Sequence, residues 1–483
     1  MGRARVLSCY QEVLFMNQET IQALVNPGSI ALIGVPRGLK AGKVFLLGLL
    51  DLGYSGDLYL VHPSAEAIDG IKTHQSLTDI PGEVEMVIVL SPKESIWEVL
   101  DACAAKKVTV VVLYTSGFSE LGGGHDRRDE ERMREIARSG GFRIIGPNCM
   151  GIYSPGASLA PFPMMPRVAG NIGFLTQSGS LMTLFINACA LKQLHFHSSI
   201  SYGNSCDIGL AELLEWMYTD EQVGVICSYT EGLEDPGALH DVFKRHAWRK
   251  PLVMWKVGST DAGGRAAASH TGSLTGKAHL WDALFRQFGI ISVSDIEEML
   301  DTVMACSRFS RSGRGRVVII SGPGGPAVSA SDAVERNGLE MATLSESSRK
   351  RLENILPPTG TSRGNPVDVG LGASFELGFY LDTLEVLIED AGIDALVILG
   401  GGISDDMNRT YVDGLIRVKE KTTKDLIVVT YPGFMQRDEI LAPLHAHGIP
   451  VYSTPERAMK AYARLLRFER FQEGRISAVS CSR

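Results

Sequence analysis

Hydrophobic positions along the chain follow two alternating periods. Short β-branched runs (SIALIGV, DLYLVHP, MVIVLSP and VTVVVLYTSG, with FRIIGPN closing the series near Asn148) are separated by stretches of helical spacing. A run that is apolar at every position suits a strand buried on both faces, as in a parallel sheet whose crossovers are helices. The pattern therefore predicts a doubly wound α/β domain ending around residue 153. The stretch SPGASLAPFPMMPRVAG that follows, with four prolines, reads as a linker.

After the linker a pattern appears and later returns. GNIGFLTQSGS (170–180) is a strand feeding a glycine turn and a helix, and GRVVIISGPGG (315–325) has the same arrangement. GNSCDIG (203–209) is answered by GNPVDVG (364–370), VGVICSYTEG by DALVILGGG, PLVMWKVG by DLIVVTYPG, and GIISVSDIEEML (289–300) by GIPVYSTPERAM (448–459). Five landmarks in one order indicate an internal duplication of an α/β unit, with SRSGRGR (310–316) as the joint. The copies differ most after the PLVMWKVG strand, where only the first carries AAASHTGSLTG (266–276).

Composition narrows the function. The 483 residues give roughly three domains at about 150 each, and 45% hydrophobic content supplies ordinary globular cores. A net charge of -8 and a pI near 5.8 argue against a general nucleic-acid or membrane-surface binder, so any phosphate must be gripped locally. The eight cysteines are scattered without a CxxC pair, which fits reduced thiols better than a disulfide or zinc framework. No apolar run reaches the roughly 18 residues of a membrane span and no signal-peptide pattern is visible, so a cytoplasmic protein is expected. Residues 1 to about 16 read as an extension.

The candidate chemistry starts at His270, which stands among small and hydroxyl residues with neither bulky neighbours nor nearby metal ligands. Such a loop suits an imidazole that must reach something. At neutral pH its ring nitrogen is a nucleophile able to accept a phosphoryl group, given a pocket for the anion and an acceptor for the other ring nitrogen. Metal binding, a hydrolase base and an inert loop histidine remain the alternatives at this point; QSGS lacks the G-x-S-x-G elbow. Both copies offer an anion site where a strand of small residues opens into a helix: Ser178, Gly179 and Ser180 in the first, and Ser321, Gly322, Gly324 and Gly325 in the second, followed by Pro326. Each helix end favours an anion by roughly 0.3 to 2 kcal/mol, although small residues also serve merely to permit tight turns. In the first domain GVPRGLKAGK (34–43) fails the G-x-G-x-x-G fingerprint, which disfavours a nicotinamide dehydrogenase. Its Arg37, Lys40 and Lys43 suit the phosphates of an adenine nucleotide or coenzyme A, against the alternative of solvated surface charge. Glu231, next to last in VGVICSYTEG, lies at the carboxyl edge of a predicted strand, where ligands collect in such sheets.

These residues resemble the nucleoside-diphosphate-forming acyl-CoA synthetases, relatives of succinyl-CoA synthetase, over about Asn17 to Leu466. VNPGSIALIGV, VHPSAEAIDGIK, GPNCMGIYSP, GFLTQSGS, SHTGSLTG and NPVDVG fall in the family's order. The resemblance implies three doubly wound α/β domains: a Rossmann-like CoA-binding domain (17–153), a flavodoxin-like domain bearing the phosphohistidine (170–310), and a second flavodoxin-like, ligase-CoA domain (315–470). It implies that acyl-CoA and phosphate give an acyl phosphate whose phosphoryl passes to His270 and then to ADP. It also implies that Glu231 is the partner of the histidine, that Ser178, Gly179, Ser180, Gly324 and Gly325 hold phosphate, and that Gly34, Val35, Pro36, Arg37, Lys43, Pro63, Ser91, Ser116, Gly117 and Asn148 contact CoA. No metal is assigned to this chain.

Two features depart from the family pattern. His62 and Ser64 stand where the family has Asn and Lys, and GVPRGLKAGK replaces the usual GASR turn. No ATP-grasp domain is visible: only RFERFQEGRISAVSCSR follows the third unit. The expectation is therefore that ADP or ATP, with Mg, binds a separate ATP-grasp β subunit in a hetero-oligomer. The alternative from another class is a non-catalytic CoA-binding scaffold of the same fold.

Overall fold

The computed structural model describes residues 16–121, 124–258, 260, 262–265, 267, 276–309, 313–322, 324–430 and 437–480. The chain folds into two compact units, the first comprising the chain up to Ala190 and His195–Ser294, the second Leu191–Leu194 and the chain from Asp295 onward.

The first unit holds two sheets. In one, β1 (Ser29–Ile33), β2 (Asp57–Val61), β3 (Ala67–Ile68), β4 (Ile71–His74), β5 (Met86–Val89), β6 (Val110–Leu113) and β7 (Arg143–Ile145) lie in the order β3-β4-β2-β1-β5-β6-β7. Only the β3–β4 hairpin is antiparallel. β1, β5 and β6 are buried at every position, as their continuous apolar runs require. The order reverses at β1, which leaves the crevice for a ligand at the carboxyl ends of β1 and β5.

The second sheet contains β8 (Gly151–Tyr153), β9 (Ile172–Thr176), β10 (Phe196–Ser201), β11 (Val225–Thr230), β12 (Leu252–Lys256) and β13 (Ile291–Val293), ordered β13-β12-β11-β9-β10-β8. β8, which the hydrophobic pattern assigns to the first segment, pairs antiparallel with β10 at the edge of this sheet. The proline-rich stretch after it is a packed strap rather than a loose linker. Helix Lys43–Leu52 carries Gly48 where a Cβ would lie 2.5 Å from the Ala160 carbonyl. The Met164 N–H donates to Asp51 (2.7 Å), and the Tyr153 hydroxyl to the Pro166 carbonyl (2.6 Å).

The second unit is built on β14 (Arg316–Ser321), β15 (Glu340–Met341), β16 (Val367–Asp368), β17 (Ala395–Leu399), β18 (Asp425–Val429) and β19 (Val451–Tyr452). Its order is β15-β14-β17-β18-β19, with β16 also on β14. The duplication is visible in the pairing, since β9-β11-β12-β13 and β14-β17-β18-β19 are the same run of parallel neighbours. Helix Ile296–Arg308, read from sequence as the end of the first copy, belongs to this unit and packs on helix Pro455–Ser480. Arg457 makes bidentate contact with Asp301 there, at 2.6 and 3.1 Å. The three α/β sheets agree with the fold expected from sequence.

Candidate active site

The first sheet brings the predicted CoA residues to one edge. Gly34 follows β1 with φ +84°, and a Cβ there would lie 2.8 Å from the Ser91 nitrogen, so only glycine lets the β1 and β5 turns touch. Val35 is buried, and Pro36 and Arg37 carry the turn outward. The Arg37 guanidinium donates to the Ser64 carbonyl at 2.9 Å and to its hydroxyl at 3.3 Å. The His62 Nδ1 accepts the N–H groups of Ser64 (3.2 Å) and Ala65 (3.0 Å). The two residues that depart from the family pattern thus build the turn around exposed Pro63, the imidazole supplying the acceptor an Asn side chain gives in an Asx turn. Lys43 is buried and paired with Asp69 at 2.7 Å, so its ammonium is committed inside the domain, whereas Lys40 is exposed.

From Ser91 a hydrogen-bonded line runs toward the second sheet. The Thr115 hydroxyl donates to the Ser91 carbonyl (2.6 Å), the Asn148 N–H to the Thr115 carbonyl (3.0 Å), and the Asn148 amide to the Asn204 Oδ1 (3.3 Å). Asn204 is buried and donates to Glu120 and Glu130 at 2.6 and 2.8 Å. Desolvation raises the Glu130 carboxyl above its ordinary pKa, opposed by the hydrogen bonds from Asn204 and Ser119. Ser116 is exposed and Gly117 has φ +106°, its carbonyl accepting from Lys93.

A cavity of about 200 Å³ lies where this line ends, lined by Asn148, Met150, Gln177, Ser178, Gly179 and Ser180 among others. Helix Gly179–Ala190 opens into it, presenting backbone N–H groups at its amino end. A Cβ on Gly179 would lie 2.2 Å from the Met150 Cγ, so the close approach of the GPNCMG turn requires glycine. The structure thus brings Asn148, predicted for CoA, and Ser178 to Ser180, predicted for phosphate, to one cavity.

Glu231 lies one residue past β11 and is 6% exposed. The side-chain oxygen of Gln177, itself 5% exposed, accepts the N–H groups of Glu231 and Gly232 at 2.5 and 3.0 Å. Lys256, the last residue of β12, donates to the Glu231 carbonyl at 2.8 Å and also to the Val257 carbonyl. Its ammonium stands 5.2 Å from the centre of the Trp281 ring. Burial lowers the Lys256 pKa to about 8, with the Glu231 carboxylate opposing the fall. The Tyr229 hydroxyl donates to the Glu231 carboxylate at 3.2 Å, and burial together with that charge raises its pKa. Gln177 stands in the TQSGS motif beside the residues singled out from sequence; Lys256 is signalled only as a charge closing an otherwise apolar strand.

His270 lies outside the described residues. In the second unit Gly324 and Gly325 are exposed at the amino end of helix Gly324–Arg336, where a Cβ on Gly325 meets nothing within 4 Å. A larger cavity of about 570 Å³ in the first unit, beside Arg134, Arg143 and Gly232, is a poor phosphate site. Arg143 is saturated by Asp207 and Glu212, Arg134 faces Glu234, and the Asp235 carboxylate already caps helix Pro236–His246. Among the described residues no group of three His, Cys, Asp or Glu side chains is arranged to hold a metal ion, and no helix is long and apolar enough to cross a membrane.

Three family models match the chain: a CoA binding domain at residues 28–155, a succinyl-CoA ligase like flavodoxin domain at 169–306, and a ligase-CoA domain at 317–470. The chain is 34% identical over 442 residues to the ADP-forming acetate–CoA ligase II subunit alpha of Pyrococcus furiosus, covering 91% of this chain and 96% of that one. It is 31% identical over 446 residues to the ADP-forming acetate–CoA ligase of Methanocaldococcus jannaschii, covering 92% of this chain and 62% of the relative. Among solved structures, the dinucleotide forming acetyl-coenzyme A synthetase 1 of Ca. Korarchaeum cryptofilum in complex with phosphate and ADP superposes with a TM-score of 0.85 at 28% identity. The match covers 95% of this chain and 99% of that one.

Proposed function

Because the chain belongs to the family of ADP-forming acetate–CoA ligase alpha subunits, we propose that it is the CoA-binding, phosphohistidine-carrying subunit of an ADP-forming acyl-CoA synthetase. The observation that carries this reading is the cavity where the Asn148 end of the first sheet meets the helix terminus at Ser178–Ser180, with Glu231 held beside it by Gln177.

CoA lies across the Gly34–Arg37 turn and the ends of β2, β5 and β6, with its thiol end toward Asn148. Inorganic phosphate rests on the N–H groups at Ser178–Ser180. A phosphate oxygen attacks the thioester carbonyl, the C–S bond breaks, and the thiolate leaves and takes up a proton. The His270 imidazole then attacks phosphorus in the acyl phosphate, the P–O bond to the acyl group breaks, and the carboxylate departs. Glu231 accepts the N–H of the other ring nitrogen, which fixes the tautomer and balances the charge that develops on the ring. Finally a terminal oxygen of ADP attacks the phosphohistidine, the N–P bond breaks and ATP forms. Positioning and charge stabilisation do most of the catalysis in such transfers. The helix terminus at Gly324–Gly325 offers phosphate the same donors within its own unit.

ADP and ATP, with Mg, are assigned to a separate ATP-grasp subunit, a reading supported by the subunit alpha designation of the relative whose length this chain spans. The test uses acetyl-CoA as the acyl donor. The chain alone, given acetyl-CoA and phosphate, is expected to release about one CoA thiol per protein in a burst and then stop; ADP restores turnover only with an ATP-grasp subunit present. No phosphate-dependent release, or steady ADP-dependent turnover by the chain alone, contradicts the proposal.

A further inference from the structure

The peptide of Glu231 leaves the ladder at the end of β11, and a buried backbone group that loses its ladder partner must find another. In the first copy the partners come from both flanking strands: Gln177, just past β9, takes the N–H of Glu231, and Lys256, closing β12, donates to its carbonyl. Two side chains, one from each flanking strand end, therefore hold the main chain on both sides of the Glu231 Cα. We propose that Gln177 and Lys256 are positioning residues that fix the direction of the Glu231 carboxylate. This rests on the reading above, in which that carboxylate faces the His270 imidazole.

The second copy supplies the control. GNIGFLTQSGS and GRVVIISGPGG superimpose Ile172 on Val317 and Gln177 on Gly322. The sheet registers carry the equivalence across: Ile172 pairs with Val225 and Val317 with Ala395, so Glu231 corresponds to Gly401. Ile226 pairs with Leu252 and Leu396 with Leu426, so Lys256 corresponds to Thr430. All three positions differ together, and the copy without the histidine has none of the trio. Nor does the fold need it. In the second copy the turn after β17 closes on Asn408 of its own following helix, whose side chain accepts the Gly402 N–H (2.7 Å) and donates to the Gly402 carbonyl (3.2 Å). An ammonium held at a strand end against desolvation, where its equivalent is a threonine, is an expense that stability alone does not justify. The charged group that acts on it among the described residues is Glu231, to which Tyr229 donates, and Trp281 adds an uncharged ring face.

A double-mutant cycle tests the assignment. Gln177→Ala, Lys256→Met and Lys256→Arg are made in the natural chain and in the Glu231→Gln background. The readouts are the single-turnover rate of acid-labile labelling from radioactive phosphate with acetyl-CoA, and a melting curve for each variant. Gln177→Ala and Lys256→Met are expected to slow labelling by about 10- to 100-fold, the range a small misplacement of a catalytic group produces. In the Glu231→Gln background the same changes should add less than about 2-fold, because residues acting through one group are not additive. Lys256→Arg, which keeps a cationic donor, should recover most of the rate lost in Lys256→Met, so the test stays open should Gln177→Ala fail to fold. Losses that add in full in the Glu231→Gln background, or single variants that label like the natural chain, overturn the inference alone. A natural chain that takes no label, or Glu231→Gln labelling as fast as it, overturns the functional reading and the inference with it.

Discussion

The two copies of the duplicated unit share a sheet order and diverge at their strand ends. In the first, the crevice past β9 and β11 holds Gln177, Glu231 and the Lys256 ammonium beside an open cavity. In the second it is closed by Tyr380, whose hydroxyl donates to the Leu399 carbonyl at 3.0 Å. That hydroxyl lies 2.5 and 2.1 Å from where Cβ atoms on Gly322 and Gly400 would stand. One scaffold thus carries hydrogen-bonded polar side chains at its strand ends in one copy and a packed ring over bare glycines in the other. What survives in both is the strand that opens into a helix through small residues, which needs only backbone N–H groups to attract phosphate. The sheet is shared between the copies because it is a core; the proposed chemistry is particular to one because it would reside on side chains at the edge.

Glu231→Gln should cut phosphohistidine formation by about 100-fold with an unchanged melting temperature, since the amide keeps the size but loses the charge that orients the imidazole. A parallel loss of melting temperature would reduce Glu231 to a structural role. Gly400→Ala should destabilise the second unit by roughly 2 to 4 kcal/mol, because φ of +145° and the Tyr380 hydroxyl both exclude a Cβ. Gly179→Ala should cost roughly 1 to 3 kcal/mol as Met150 is displaced, and slow labelling through the reshaped cavity. Gly325→Ala meets open space and should stay within about 0.5 kcal/mol of the natural chain. Denaturant unfolding read by circular dichroism measures all three glycine changes, and equal costs at Gly179 and Gly325 would remove the steric argument.

The smallest effect concerns pH. The Lys256 pKa in the fold is lowered from 10.5 to about 8, so between these values the unfolded chain binds more protons and unfolding becomes less favourable as pH rises. The stability of the natural chain relative to Lys256→Met should therefore climb from about pH 8 toward 10.5 and be flat below. A difference that falls over this window would mean the ammonium is favoured in the fold rather than penalised. In catalysis the sign reverses, because the donor to the Glu231 carbonyl is the charged form: labelling by the natural chain should decline above about pH 8, and Lys256→Arg should lose that limb.

Much of this architecture is legible in the sequence because its cause is local. Short continuous apolar runs rich in β-branched residues read as buried strands, and the five paired landmarks yield the duplication before any contact is known. The two helix termini follow from small residues after a strand. The strap from Pro155 to Arg167 is not legible as such, since prolines mark both loose linkers and packed extended segments; what distinguishes them is the Gly48 gap on a helix distant in sequence. Gln177 and Lys256 escape notice for a related reason. Their function is to satisfy a peptide on another strand, and such a partner exists only once β9, β11 and β12 are side by side. The change at His62 and Ser64 looks from sequence like the loss of a binding pair. In the structure it is a rebuilt turn, with Arg37 holding Ser64 and the imidazole accepting two backbone N–H groups.

In the proposed cycle the first copy alone bears a phosphorylated histidine. Labelling the chain with radioactive phosphate in the presence of acetyl-CoA, followed by digestion and mapping under alkaline conditions, tests it most directly. The label should be acid-labile and base-stable, reside on the peptide containing His270, and vanish in His270→Ala while the fold is retained. Label that persists in His270→Ala, or that maps to the second copy, contradicts the account.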